Sequence, residues 1–286
     1  TNLTKGNIFL GMSRLALPIM LTSFIQMAYN LVDMIWIGKI GSGAMAAVGA
    51  AGIYLWISDS LTSVARMGGQ IKVAHAVGAG DTARAKKYAA AAFQLGLLIV
   101  VLYSAVLMTF RKGLVGFFRL GQADIIQSAE AYLLITGSVG ILFGTLNQIF
   151  TGICTGRGNS RLPFAATSVG LVLNVILDPL LIFGLGPIPA LGVVGAAVAT
   201  AGSQGVVTLL FLLFLLGDKE FFRQIPVFRK PDRASCKEVF SLGLPAGIQN
   251  VFMSGLSLLI SRIVSSFGAD AIAIQRVGGQ VERISW

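Results

Sequence analysis

Charge is what this 286-residue sequence has least of. Asp, Glu, Lys and Arg make up only 12% of it, whereas a soluble domain needs roughly 25% to cover its surface. With 55% hydrophobic residues and a mean hydropathy of +0.80, the outside of the fold must meet lipid. The short alternating segments of an outer-membrane barrel are also missing. Apolar runs such as ILFGTLNQIFTGI and VVTLLFLLFLL extend with their flanks over about 20 residues, so every span is expected to be a helix. Histidine occurs once and cysteine twice, and Cys154 and Cys236 are expected as free thiols in basic connecting segments, which excludes a disulfide framework and a His/Cys metal centre. No G-x-S-x-G elbow, Walker loop or aspartate cluster is present, so no enzyme is expected. The 22 basic residues exceed the 12 acidic ones, yet they are scattered between apolar runs without an aromatic platform. This excludes nucleic acid as a partner and fits the cytoplasmic excess of Lys and Arg in membrane proteins. The first apolar run is too long, and lacks the small-residue cleavage pattern, for a signal peptide.

Punctuation by Gly, Pro and charge predicts an all-α, polytopic protein, with helices over 14–39, 44–77, 85–110, 126–153, 163–185, 190–217 and 238–266 and another starting at 271. With the N-terminus cytoplasmic, thirteen basic residues from Lys5 to Lys237 fall on the inner side, against Lys39, Arg111, Lys112 and Arg119 on the outer side. The stretch 218–237 reads as a cytoplasmic linker. The helix after the linker repeats the start of the chain: LALPIMLTSFIQ from Leu15 aligns without a gap with LGLPAGIQNVFM from Leu242, Pro18 falling on Pro245, Gly41 on Gly268, Ala44 on Ala271 and Ala46 on Ala273. An even number of helices in the first unit makes such a repeat parallel, and a second unit of equal length would end at about residue 450. The expected organisation is a six-helix N-terminal lobe over 1–217, the linker, and the start of a C-terminal lobe over 238–286 that breaks off inside the eighth span, with most of the second lobe missing.

Carboxylates inside lipid are costly and therefore mark function. Asp33 and Asp178 each lie 15 residues after a proline, Pro18 and Pro163, on helices that run the same way, which sets them at one depth. Asn174 shares a helix face with Asp178. Pro179 lacks the N–H that would bond the Val175 carbonyl, and Thr200 falls at a similar depth. Carboxylate, amide, hydroxyl and carbonyl oxygens together form the ligand set of a hard cation or a proton relay. Asp59 and Arg66 share a face of the second helix with Ser63 between them, as an internal ion pair or as a substrate contact. His75 is expected to be solvated, and Asn147 and Gln148 either face a cavity or bond a neighbouring helix.

Together these segments resemble the multidrug and toxic compound extrusion (MATE) transporters. The resemblance is carried by ALPIMLTSFIQMAYNLVDMIWIGKIG, AVGAGDTARAKKY, GRGNSRLP, NVILDPLLIFGLG, GVVGAAVAT and LGLPAGIQN. It implies two six-helix lobes around a central cavity in the cell inner membrane, with membrane lipids and a small organic molecule as partners. The pattern Asp33, Asn174, Asp178 looks like the DinF-like branch, where Asp33, Asn174, Asp178 and Thr200 take the ion-site roles for a proton or for sodium. No cofactor is implied. A second branch, marked by an acidic residue in the seventh helix, is disfavoured because none lies between Glu238 and Gly268. Gln26, Tyr29, Asp59, Arg66 and Asn147 are candidates to line the cavity. The implied function is antiport of amphipathic, cationic drugs against protons or sodium. The alternative is a flippase of a lipid-linked precursor, which Arg66 and Arg262 would favour.

Overall fold

The computed structural model describes residues 8–279 except 185–188, 219, 228, 269, 273 and 276. Lys5, Lys219, Ala273, the expected end of the fifth helix at Leu185 and the break at Trp286 lie outside the described residues. The described chain is a bundle of long helices: α1 (Ile8–Ile40), α2 (Ser42–Gly78), α3 (Thr82–Gly116), α4 (Ala123–Gly156), α5 (Arg161–Phe183), α6 (Gly192–Leu216) and α7 (Arg233–Ser265). Helices α2 to α7 are long and apolar enough to cross a membrane, and α1 has 33 residues. The protein is therefore a multi-pass membrane protein. Most helices overrun their apolar cores by a few residues, and two of them start on a side-chain cap. The Asp81 carboxylate accepts from Arg84 N–H (2.9 Å) at the start of α3, and the Asp232 carboxylate accepts from Ala234 N–H (3.2 Å) at the start of α7.

The repeat has a structural counterpart. Pro18 and Pro245 both lie inside their helices, and α1 and α7 each end within three residues of a glycine with positive φ, Gly41 at 140° and Gly268 at 104°. Only glycine adopts such a conformation without strain, so one turn chemistry closes both helices.

Helix α2 is the hub, with α3, α4 and α7 packed around it, while α1, α5 and α6 form a second group joined to the first through α4. The α2–α7 crossing is backbone against backbone. A side-chain carbon at Gly243 would overlap the Val64 carbonyl, one at Gly68 the Val239 carbonyl, and one at Gly247 the Val64 side chain. Two apolar cores sit at opposite ends of the bundle. Near the Gly41 end Ile37, Val48, Leu107, Phe118 and Leu133 are buried together; near the Gly80 end Phe150 stacks on Phe211 (centroids 5.4 Å apart) and meets Phe93 edge-on (4.8 Å). Between them runs a polar layer: the Thr62 and Thr145 hydroxyls are bonded at 2.9 Å, and Asn147 donates to the Gln204 side chain (2.8 Å) and accepts from Thr208 (2.8 Å). Side chains such as Phe24, Leu102, Phe214 and Phe252 remain exposed, as a lipid-facing surface requires.

Two expectations are corrected. Cys154 is not in a connecting segment but buried in the last turns of α4, and Cys236 belongs to the first turn of α7; both are free thiols. Of the stretch 218–232, the described residues are strapped to the Gly80 end. Arg157 forms a salt bridge with Asp218 (2.7 Å) and lies 4.1 Å from the Phe221 ring centroid, Phe221 is buried, and Gln94 donates to the Val227 and Arg229 carbonyls. Burial alone would raise the Asp218 carboxyl, yet the bonds from Arg157 and the Phe221 N–H hold it below its ordinary value.

Gly243→Val is expected to destabilise the purified protein by about 1–3 kcal/mol or more, read as a drop in thermal unfolding temperature in detergent, whereas Gly255→Val, with nothing within 4 Å, is expected to be near neutral. A group with a depressed folded pKa stabilises above its unfolded pKa and loses that contribution as pH falls through the folded one. Asp218→Asn should therefore speed hydrogen exchange over 218–227 at neutral pH and lose its effect only as the pH falls through the depressed Asp218 value, below the ordinary carboxylate range.

Candidate functional site

Helices α1 and α5 pack side by side, and each brings one carboxylate inward near the Gly41 end. Asp33 stands seven residues before the end of α1, Asp178 five before the end of α5, and Thr200 eight residues into α6. At about 1.5 Å per residue these depths agree within a turn. Asp178 and Asn174 are fully buried at 0% exposure and Asp33 is at 7%. Asn174 Nδ2 donates to Asp178 Oδ1 at 3.0 Å, the bond that their one-turn spacing on α5 permits. Tyr29, one turn before Asp33, lies within electrostatic reach of both carboxylates and of Tyr132. Its hydroxyl faces that of Thr200, but the two do not meet hydrogen-bond geometry.

Several buried oxygens here have no hydrogen-bond partner: Tyr29 Oη, Asn174 Oδ1, Asp178 Oδ2, Thr200 Oγ1 and Ser203 Oγ. Unsatisfied buried polar atoms are rare because each costs about 1–3 kcal/mol, so several on three adjoining helices mark a place built for something other than packing. All are hard donors, and Pro179 adds the Val175 carbonyl that it cannot bond. Two carboxylates with hydroxyl, amide and carbonyl oxygens fit a sodium ion or a shared proton. Trp36 on α1 meets Phe183 on α5 edge-on (6.1 Å), and Lys39 lies 4.2 Å from the Trp36 centroid, all further along their helices towards the Gly41 end than the carboxylates.

The other expected site residues are placed elsewhere. Gln26 is exposed on α1, where its carbonyl accepts from Asn30. Asn147 does not line a cavity: it is 7% exposed and bonded to Gln204 and Thr208, so it joins α4 to α6. Asp59 and Arg66 lie on α2 facing α4, where Gln148 Nε2 donates to Asp59 Oδ1 (2.8 Å). His75 is exposed at the end of α2.

Sequence reasoning missed Ser203, Tyr132 and a π-helical turn over Thr136–Gly140 in α4. Ser203 lies one turn after Thr200 and could have been found by that spacing. The turn packs on α6 beside the cluster, and its GS pair was the signal.

The MatE family model matches residues 18–180, more than half of the chain. The chain belongs to the MatE family. It is 31% identical over 277 residues to a probable multidrug resistance protein NorM of Thermotoga maritima, covering 96% of this chain and 58% of that protein. It is 27% identical over 276 residues to the multidrug export protein MepA of Staphylococcus saprophyticus, covering 94% and 58%. Among solved structures it is similar to a MATE-family multidrug resistance transporter of the MOP superfamily in its outward-facing conformation, with a TM-score of 0.81 and 25% identity over 96% of this chain and 60% of that one. The chain thus spans about three fifths of the length of the relatives it matches. The family comprises transporters, not enzymes.

Because the Ser203 hydroxyl is buried without a partner, Ser203→Ala should leave thermal stability unchanged or raise it by up to about 1–3 kcal/mol in sodium-free buffer. A loss of stability there, measured by thermal unfolding in detergent, would show that the hydroxyl already has its partner.

Proposed function

We propose that this protein works as a secondary antiporter that exports amphipathic, cationic compounds in exchange for protons or sodium, with Asp33, Asn174, Asp178 and Thr200 as the coupling site in the manner of the DinF-like branch. The observation that carries this reading is the cluster of buried oxygens on α1, α5 and α6 beside two carboxylates. Two carboxylates in a low-dielectric pocket repel when both are charged, so the site holds either a proton or a cation between them. Proton and sodium are then rival occupants of one place, and Tyr29 and Ser203 complete the ligand set. Relatives that carry the names of multidrug resistance and export proteins support an exported drug as the other substrate.

Residues 1–217 act as one lobe, 218–237 as the linker and 238–286 as the start of the second lobe, in the plasma membrane with the N-terminus cytoplasmic. Rocking of two lobes about the site gives alternating access, so residues 1–286 alone do not transport. The flippase reading loses one of its two cations, because the Arg262 guanidinium lies 5.3 Å from the Phe117 centroid and reaches Ser265 (3.4 Å), a use that holds α7 in place.

Asp33→Asn and Asp178→Asn imitate the protonated carboxyl in shape but cannot release a proton or carry the charge that holds sodium. Each is expected to reduce dye efflux from proteoliposomes of the intact protein to background, under an imposed pH gradient and under an imposed sodium gradient, while the thermal unfolding profile is kept. Undiminished efflux by either variant under both gradients removes that residue from the mechanism.

A further inference from the structure

The two rival occupants of the coupling site make different demands on it. A proton is held by one or two oxygens, whereas a hard cation of sodium's size is held by about six. Asp178, Asn174 and Thr200 each offer one unpartnered side-chain oxygen, Pro179 leaves the Val175 carbonyl without its helical donor, and the Asp33 carboxylate stands beside them. That is enough for a proton and one short for sodium.

Ser203 stands where the missing oxygen is needed. Helices α5 and α6 run antiparallel, so depth can be counted on both from the Gly41 end: Asn174 lies about 14 Å down α5 and Ser203 about 17 Å down α6. Side chains in a helix tilt towards its N-terminus, which brings the Ser203 hydroxyl back to the level of Asn174. The Ser203 carbonyl lies 3.9 Å from where a side-chain carbon at Gly170 would stand, and Gly170 is one turn before Asn174 on the same face of α5. This side of α6 therefore lies against the side of α5 that carries Asn174 and Asp178. One turn further on, Val207 meets Gly170 so closely that a side-chain carbon there would overlap it, and the contact passes into the apolar core.

Both Asn174 and Ser203 are wholly buried, and neither the Asn174 amide oxygen nor the Ser203 hydroxyl has a hydrogen-bond partner. A hydroxyl inside a helix commonly turns back to the carbonyl one turn earlier, as Thr208 does with Gln204 (3.0 Å). Ser203 does not, which leaves its lone pairs to the site. The titratable groups around the cluster are Tyr29 and Asp33 on α1, Tyr132 on α4 and Asp178 on α5, and α6 carries none.

We infer that Ser203 is the residue that admits sodium to this site: its hydroxyl oxygen completes the shell of the cation, while a proton is held by the carboxylates without touching it. The inference rests on the coupling-site reading and narrows it, since the choice of ion then lies with one hydroxyl on α6.

The test is thermal unfolding of the intact protein in detergent, with NaCl replacing KCl at constant ionic strength, so that the midpoint of the sodium-specific rise reports affinity. Ser203→Ala, and Ser203→Cys, which keeps the size but offers a soft sulfur, are each expected to raise that midpoint about tenfold. The pH dependence of unfolding in sodium-free buffer should stay that of wild type, which a hydroxyl kept for packing would not ensure. A wild-type midpoint in either variant, a changed sodium-free pH profile, or no sodium-specific rise in wild type overturns the inference and leaves proton coupling at Asp33 and Asp178 standing. Loss of the fold in both variants overturns it as well, because the hydroxyl would then serve packing. Should one alone fail to fold, the other decides. A sodium response in Asp178→Asn equal to that of wild type overturns the coupling site itself.

Discussion

In lipid, helices gain nothing by hiding apolar side chains from one another, so their association depends on how closely two backbones can approach. Here that constraint falls on α2. Gly68 lets the α7 backbone settle against it, Gly243 and Gly247 do the same from the α7 side, and the close crossing fixes the angle at which α7 leaves the first group of helices. This contact gives rise to the reach of Asn250 to Ser63 and to the anchoring of α7 at its start, where Lys72 and Tyr88 both bond Glu238 (2.7 and 2.8 Å). Longer side chains at the three glycines would separate the backbones, and each of these contacts would open with them.

The polar groups at membrane depth fall into two kinds, distinguished by exposure. Asp33, Asn174 and Asp178 are enclosed, and the oxygens around them have little to bond with, which suits a small ion or a proton that comes and goes without much water. Asp59 is exposed on α2 and accepts a hydrogen bond from Gln148. Helix α4 touches both, with Tyr132 near the enclosed cluster and Gln148 bonded to Asp59.

Much of the architecture was legible in the sequence because lipid simplifies the code: an apolar run long enough to span is a helix, and glycine, proline and charge punctuate it. The fixed offset of Pro18 and Gly41 from Pro245 and Gly268 announced the repeat, and the structure gives both glycines positive φ. Depth was legible as well, since residue count converts to distance along a helix, and counted from the helix ends Asp33, Asp178 and Thr200 fall within a turn of one another. Rotation about the helix axis was not legible. Asn147 and Gln148 are neighbours in sequence, yet one bonds α6 and the other α2, and only packing decides which. The anchoring of the linker was not legible either, because its anchors, Gln94 and Arg157, come from distant helices.

The π-helical turn at Thr136–Gly140 accommodates one residue more than an α-helix would, and one residue corresponds to about 100° of rotation. The two halves of α4 are therefore out of phase. Without the insertion, the face that carries Tyr132 would continue straight down the helix, and Asn147 and Gln148 would point in other directions. The extra residue works as a mechanical offset, a dogleg in a shaft, through which the two halves of one helix turn different faces to their neighbours.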